Sequence, residues 1–243
     1  MIDVNKIEEL KEVIKNSNNI VIFSGAGLST NSGIPDFRSA DGIYNQRLNY
    51  RVRPEEIISH SFFMKYPEDF YDFYYDKLIY PNALPNSAHY YFAELEKMGK
   101  VKAVITQNID NLHQEAGSKN VIELHGSVMR NYCMKCHKFY SMEDIYKKGV
   151  PHCTCGGLIK PDVVLYEEGL NEDDIYRTVD YISKADTLII VGTSLTVYPA
   201  AGFIRYFKGR NLILLNKTET QYDSMATIAI HDDIKNVISE LEK

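Results

Sequence analysis

Residues 20–23 (IVIF) form a short unbroken apolar run that ends abruptly in Ser24-Gly25-Ala26-Gly27. That is the pattern of a parallel strand buried on both faces and followed by a tight turn. Similar runs recur at residues 101–105 (VKAVI), 121–124 (VIEL), 187–191 (TLIIV), 211–215 (NLILL) and 227–230 (TIAI). Residues 3–16, 86–98, 171–183, 199–208 and 233–242 read as helices; in the first, Ile7, Leu10, Val13 and Ile14 recur at helical spacing. The alternation predicts an α/β fold, a doubly wound parallel Rossmann-like sheet, in which ligands collect at the carboxyl ends of the strands.

Two stretches break the alternation and are too long for ordinary connections. Residues 39–85 hold seven of the 18 tyrosines together with Phe62, Phe63, Phe70 and Phe73, and read as a helical insertion. Residues 129–161 hold all four cysteines and read as a small zinc-binding module. The sheet domain is then assembled from residues 1–38, 86–128 and 162–243.

Cys133 and Cys136 enclose two residues, and after sixteen intervening residues Cys153 and Cys155 enclose one. Four thiolates from two knuckles suit one tetrahedral structural zinc ion, and four protein ligands leave no position open for water or substrate. The C-x-C knuckle is tighter than the usual C-x-x-C, a strain that Gly156 and Gly157 would relieve. Two disulfides, or four unrelated thiols, are the alternative reading. The N-terminus has no basic segment leading into an apolar one, and no run of eighteen apolar residues occurs. The chain therefore reads as a soluble, unexported, cytoplasmic protein without a membrane partner, which favours metal over disulfide. Its net charge of -6 offers no broad footprint for nucleic acid and makes a cationic peptide the easier partner.

Polar and small residues crowd the strand ends. The first run opens into GAGLSTNSGIPDFR, where Gly25 and Gly27 would let the backbone turn and approach a phosphate. It is not a standard dinucleotide fingerprint, because the third glycine falls at Thr30, and a generic tight turn is the plain alternative. Phe37 and Arg38 add an aromatic face and a guanidinium beyond the loop. The second run ends in Gln107-Asn108-Ile109-Asp110, the third in His125, the next in Gly192-Thr193-Ser194 and the next in Asn216. A histidine at a strand end is often only a hydrogen-bonded structural residue, and Thr193 or Ser194 would serve as helix caps. Several polar strand ends together point to a site.

Taken together, GAGLSTNSGIPDFR, TQNIDNLH, ELHG, the two cysteine knuckles, KPDVVLYEE and GTSL resemble the bacterial-type sirtuins, the Sir2-like family of NAD-dependent protein-lysine deacylases. The likeness runs from about residue 8 to the C-terminus. It implies that Gly25, Ala26, Gly27, Thr30, Phe37 and Arg38 line the phosphate and nicotinamide-ribose side of NAD. Gln107, Asn108, Ile109 and Asp110 would surround the ribose and nicotinamide. Gly192, Thr193, Ser194, Asn216, Asp233 and Ile234 would take the adenosine end. Asn108, Asp110 and His125 would be the catalytic residues, with His125 as general base and NAD consumed as co-substrate. The acyl oxygen of the substrate lysine attacks the ribose, nicotinamide leaves as product and acts as inhibitor, and the acyl group ends on ADP-ribose. An acyl-lysine protein or peptide would lie as an added strand along Val163, Val164, Leu165 and Tyr166. The four cysteines would hold the structural zinc.

Two departures stand out. The family often has glycine before the glutamate that follows the VV strand, where this chain has Tyr166-Glu167-Glu168. Family members that remove acidic acyl groups resemble Tyr-x-x-Arg in the acyl-pocket helix, whereas Phe73-Tyr74-Tyr75-Asp76-Lys77 offers no arginine and favours neutral acyl chains. The same NAD site would also serve a protein mono-ADP-ribosyltransferase, or a non-catalytic module that senses NAD or ADP-ribose.

Overall fold

The chain begins with helix α1 (Val4–Asn16), strand β1 (Ile20–Ser24) and two 3₁₀ segments, Ala26–Ser32 and Ile43–Asn45. Short helices α2 (Pro54–Ile57), α3 (His60–Lys65) and α4 (Pro67–Lys77) precede α5 (Ser87–Lys97), β2 (Val101–Thr106), α6 (Leu112–Glu115) and β3 (Val121–Glu123). Then come β4 (Gly126–Cys133), β5 (Phe139–Ser141), α7 (Met142–Ile145) and β6 (Ile159–Val163). The C-terminal part is α8 (Glu172–Lys184), β7 (Thr187–Val191), a 3₁₀ segment Ala200–Tyr206, β8 (Asn211–Leu215), a 3₁₀ turn Asp223–Met225, β9 (Ile228–Ile230) and α9 (Ile234–Leu241). The structure, a computed structural model, describes residues 3–37, 39, 42–45 and 52–243.

Six parallel strands form the larger sheet in the order β3-β2-β1-β7-β8-β9. All five residues of β1 and of β7 are buried, as unbroken apolar runs predict. Alternate side chains feed two cores. Ile20, Ile22, Ile189, Val191, Ile213 and Leu215 meet α1, α5 and α9 on one face. Val21, Phe23, Leu188, Ile190, Leu212 and Leu214 meet α8 and the Ala200–Tyr206 segment on the other. The expected helix at 199–208 is this shorter 3₁₀ segment, which begins after Pro199 with no side-chain cap. Strand order reverses between β1 and β7, so the crevice at their carboxyl ends is the place where such sheets bind ligands. Among the described residues no helix is long and apolar enough to cross a membrane.

The two insertions share one core. Phe63, Phe70, Tyr71, Tyr74 and Tyr75 from α3 and α4 pack with Met142, Ile145 and Ile159 from the cysteine-bearing segment and with Val128 and Val163 that flank it. Their rings meet largely edge to face, and the Tyr71 hydroxyl donates to the Ile159 carbonyl. Strands β5-β4-β6 form a second, antiparallel sheet beside this aromatic cluster.

Candidate active site

The glycine loop and the β7 loop interlock backbone to backbone. A Cβ on Gly25 would stand 2.6 Å from the Thr193 Cβ, one on Gly27 2.9 Å from the Gly192 carbonyl oxygen, and one on Gly192 2.2 Å from the Leu28 nitrogen. The Gly25 N–H donates to the Val191 carbonyl (3.0 Å) and the Gly27 N–H to the Gly192 carbonyl (2.8 Å). These glycines are therefore required first for close loop packing, and neither N–H is a spare donor for a phosphate. Ala26 and Thr30 lie on the same 3₁₀ segment, with Thr30 exposed.

Ser29 on that segment joins the loop to the end of β2. The Asn108 amide donates to the Ser29 hydroxyl (3.1 Å) and to the Gly25 carbonyl (3.1 Å). Ser29 in turn donates to Asp110 Oδ2 at 2.6 Å, while Asp110 Oδ1 accepts the Leu112 N–H at 3.0 Å. Burial pushes the Asp110 carboxyl up from its ordinary value, opposed by the hydrogen bonds from Ser29 and Leu112. Asn108 is fixed on its backbone side as well, its N–H bonded to Thr106 Oγ1 (3.0 Å).

His125 lies immediately before β4, where Gly126 turns the chain with φ +74°. A Cβ on Gly126 would stand 1.9 Å from the Asp162 carbonyl oxygen, so no other residue lets β4 approach β6 this closely. The His125 Nδ1 is 3.0 Å from the Gln107 carbonyl oxygen. A carbonyl only accepts, so Nδ1 carries the proton and the neutral ring keeps its lone pair on Nε2. Burial pulls the imidazole pKa below its ordinary value, with the Gln107 hydrogen bond opposing. The ring is accordingly neutral at neutral pH, as a general base must be. Gln107 also bonds Thr193 Oγ1 through its side chain at 3.1 Å, linking the ends of β2 and β7.

The remaining expected residues divide. Thr193 Oγ1 accepts the Leu195 N–H (3.2 Å), a local turn rather than a helix cap, and Ser194 is exposed beside Thr196. Asn216 directly follows β8 and Asp233 caps α9 while accepting from Asn31 Nδ2 (2.7 Å), so both lie at the carboxyl edge. Ile234 does not fit as a side-chain contact with a ligand, because it is buried in the core under α1 and α5. Phe37 packs against Tyr44 and the cluster of Ile43, Ile57 and Phe73, and Ile109 is partly buried against the aromatic core. Arg38 lies outside the described residues. Along the expected peptide strand, the Val164 N–H donates to the His125 carbonyl, Leu165 to Glu168 Oε2 and Tyr166 to the Ile58 carbonyl. An added strand must use carbonyls here or displace Glu168, a narrower edge than the sequence predicts.

The four cysteine sulfurs lie within 4.8 Å of one another, with Cys133–Cys155 and Cys136–Cys153 each at 3.5 Å. A disulfide needs about 2.05 Å, whereas a tetrahedron of Zn–S bonds of about 2.3 Å has sulfur–sulfur edges of about 3.8 Å. The set fits one zinc ion held structurally. Gly156 has φ +80°, and a Cβ on Gly157 would stand 2.6 Å from Cys133 Sγ, so both glycines serve the tight knuckle.

Residue reading alone missed Ser29, Ser24 and His113. Ser24 donates to Thr106 Oγ1 (2.8 Å) and meets His113 Nε2 (2.9 Å), bracing the base of the site. Only Ser24 stands at a strand end; Ser29 on the 3₁₀ segment and His113 in α6 carry no local signal beyond a polar side chain in the segment that follows a buried strand.

The Sir2 family model matches residues 25–199. Over 98% of both chains, this chain is 62% identical to an NAD-dependent protein deacetylase of Clostridium perfringens. It is 46% identical to one of Staphylococcus aureus, again over 98% of each. A Sir2 structure with a deacetylated p53 peptide and 3'-O-acetyl ADP-ribose superposes with a TM-score of 0.89 at 40% identity, covering 97% of this chain and 96% of that one. Sir2Tm bound to a propionylated peptide gives 0.86 at 40% identity, covering 97% of each. With the strand-end polar residues and the cysteine cluster in place, the chain belongs to the Sir2 family.

Proposed function

We infer that this protein is an NAD-dependent protein-lysine deacetylase, which transfers the acyl group to ADP-ribose and releases nicotinamide. The observation that carries the reading is the convergence at Gln107. Its carbonyl sets the His125 tautomer, its neighbours Asn108 and Asp110 are locked by Ser29, and its side chain reaches Thr193. One strand end thus orders a neutral base, a carboxylate and an amide, which are the groups that ribosyl transfer needs.

NAD is held across the β1/β7 crevice, with Ala26, Thr30, Gln107 and Thr193 near its middle and Ser194, Asn216 and Asp233 toward the adenosine. Asn108 and Asp110 offer oxygen to the positive ribosyl centre, and Phe37 keeps bulk water from it. His125 Nε2 takes a proton from a ribose hydroxyl, which then attacks the acyl carbon. The acyl peptide lies along residues 163–166. Zinc supplies rigidity to the cysteine module and no chemistry at the ribose. The same reading gives a cytoplasmic enzyme inhibited by its product nicotinamide, acting on neutral acyl chains, with protein and not nucleic acid as partner.

The test is incubation of the protein with NAD and an acetyl-lysine peptide, following nicotinamide and deacetylated peptide together. Peptide-dependent nicotinamide release is expected. ADP-ribose added to protein, read by mass spectrometry without loss of acetyl, would indicate the ADP-ribosyltransferase instead. His125→Ala should abolish deacetylation while NAD binding persists, and surviving activity would refute the base assignment.

A further inference from the structure

Tyr166 occupies the expected peptide strand, yet its side chain reaches the Ile43–Asn45 segment. Its backbone is tied on both sides, the N–H donating to the Ile58 carbonyl (3.0 Å) and the carbonyl accepting the His60 N–H (3.0 Å). The next residue, Glu167, sits at φ +76°, a conformation unfavourable for a non-glycine residue. Its carboxylate compensates by accepting the Ser61 N–H (2.8 Å) and hydroxyl (2.5 Å) at the start of α3. Glu168 then bonds His60 Nδ1 (2.7 Å) and Lys160 (3.0 Å). The segment is thus pinned to the helical insertion, and the Tyr166 ring, 39% exposed, is directed by its backbone.

The Tyr166 hydroxyl lies 3.2 Å from the Tyr44 hydroxyl. Tyr44 belongs to the stretch that returns on the glycine loop. Its N–H donates to the Phe37 carbonyl (2.9 Å), and the preceding Ile43 N–H donates to the Asp36 carbonyl (2.8 Å). The Tyr44 and Phe37 rings meet edge to face with centroids 5.4 Å apart. A contiguous path therefore runs from the peptide strand, through two hydroxyls and two rings, to the residue that shields the ribosyl centre.

We propose that Tyr166 and Tyr44 are positioning residues that brace Phe37, so that the segment carrying the acyl peptide also holds the water shield closed. This deepens the deacetylase reading and rests on the roles proposed there for Phe37 and residues 163–166. Without the brace, water gains access to C1′ of the nicotinamide ribose. Its oxygen bonds C1′, the C1′–nitrogen bond to nicotinamide breaks, a proton passes to solvent, and free ADP-ribose forms with the lysine still acylated.

The test uses Tyr166→Phe, Tyr44→Phe and the double variant, each of which keeps its rings and so its packing. With saturating NAD and acetyl peptide, nicotinamide released and lysine deacetylated are counted in the same reaction. Loss of one neutral hydrogen bond should lower the kcat of deacetylation about two- to tenfold and raise nicotinamide released per lysine deacetylated, with peptide KM little changed. The double variant should be no worse than either single one, because both remove the same bond. Additive effects, or an unchanged ratio in either single variant, would overturn the brace. Phe37→Ala separates the two levels, since it should raise the ratio whatever the tyrosines do. If it raises the ratio and the tyrosine variants do not, the brace alone fails. If it leaves the ratio unchanged, the shield reading fails and takes the brace with it.

Discussion

His89 and His113 make this fold sensitive to acid in a window that can be calculated. Both are buried, 0% and 1% exposed, with ring centroids 4.9 Å apart. His89 Nδ1 accepts the Asn86 N–H in the capping box of α5, and His113 Nε2 meets Ser24. Their other nitrogens, His89 Nε2 and His113 Nδ1, have no partner among the described residues. A proton added to either ring creates a buried, unpaired charge. Burial holds the His89 pKa down at about 4 and that of His113 well below its ordinary value, the second also through repulsion from His89. A folded pKa below the unfolded one means that the unfolded chain binds more protons between the two values. The stabilisation is therefore complete above the unfolded pKa of about 6.5 and is lost as pH falls toward the folded values.

From pH 8 to pH 5 the loss at His89 is 1.36 × log(33/1.1), about 2 kcal/mol, and His113 acts in the same direction. The His89 share alone is about a fifth of a stability of about 10 kcal/mol. Asp110 runs the other way, because a carboxyl raised by burial stabilises the fold as it protonates. Glu168 holds a depressed pKa against burial, through hydrogen bonds from Leu165, His60 and Lys160, and weakens the fold only nearer its own range below pH 5. Urea melts of the wild type and His89→Gln at pH 8 and pH 5, with zinc present, isolate the histidine. The substitution can lower stability at both pH values, but the difference between pH values should shrink by about 2 kcal/mol. Zinc release at acid pH is common to both proteins and cancels. Equal pH differences at unchanged m-value would refute the argument.

Gly126→Ala should cost about 2–5 kcal/mol, from left-handed strain plus overlap with Asp162, and should silence His125; a urea midpoint close to wild type would contradict this. Ser29→Ala removes a hydrogen bond that lowers the Asp110 pKa, so that pKa should rise further. The rise is read as a shift of the acid limb of deacetylation toward higher pH, and an unmoved limb would contradict it. Removal of metal by chelation should release one zinc ion per chain, measured by elemental analysis, and lower the melting temperature; a zinc-free protein with an unchanged melt would argue against a structural ion.

The sheet was legible because burial on both faces leaves an unbroken apolar run, and all six runs became strands of the larger sheet. The helix expected at 199–208 shortened to a 3₁₀ segment, because Pro199 and the small residues Ala200, Ala201 and Gly202 satisfy an apolar pattern without specifying an α-helix. Side-chain chemistry at strand ends pointed to Asn108, Asp110 and His125. Ser29, which binds two of them, was indistinguishable in sequence from any loop serine.

The glycines show where residue reading reaches its limit. Gly25 and Gly27 suggest backbone approach to a phosphate and Gly192 a place at the adenosine end, and the structure shows the three approaching one another. The two are causally connected. The crevice exists only where strand order reverses between β1 and β7, and there two loops leave adjacent strands at a single edge. Side chains at 25, 27 and 192 would force those loops apart, separating Thr193 from Gln107 and so from the carbonyl that orients His125. A small residue in a ligand loop therefore serves the ligand by way of the protein's own packing, and its partner lies about 165 residues away in this chain, beyond the reach of any local pattern.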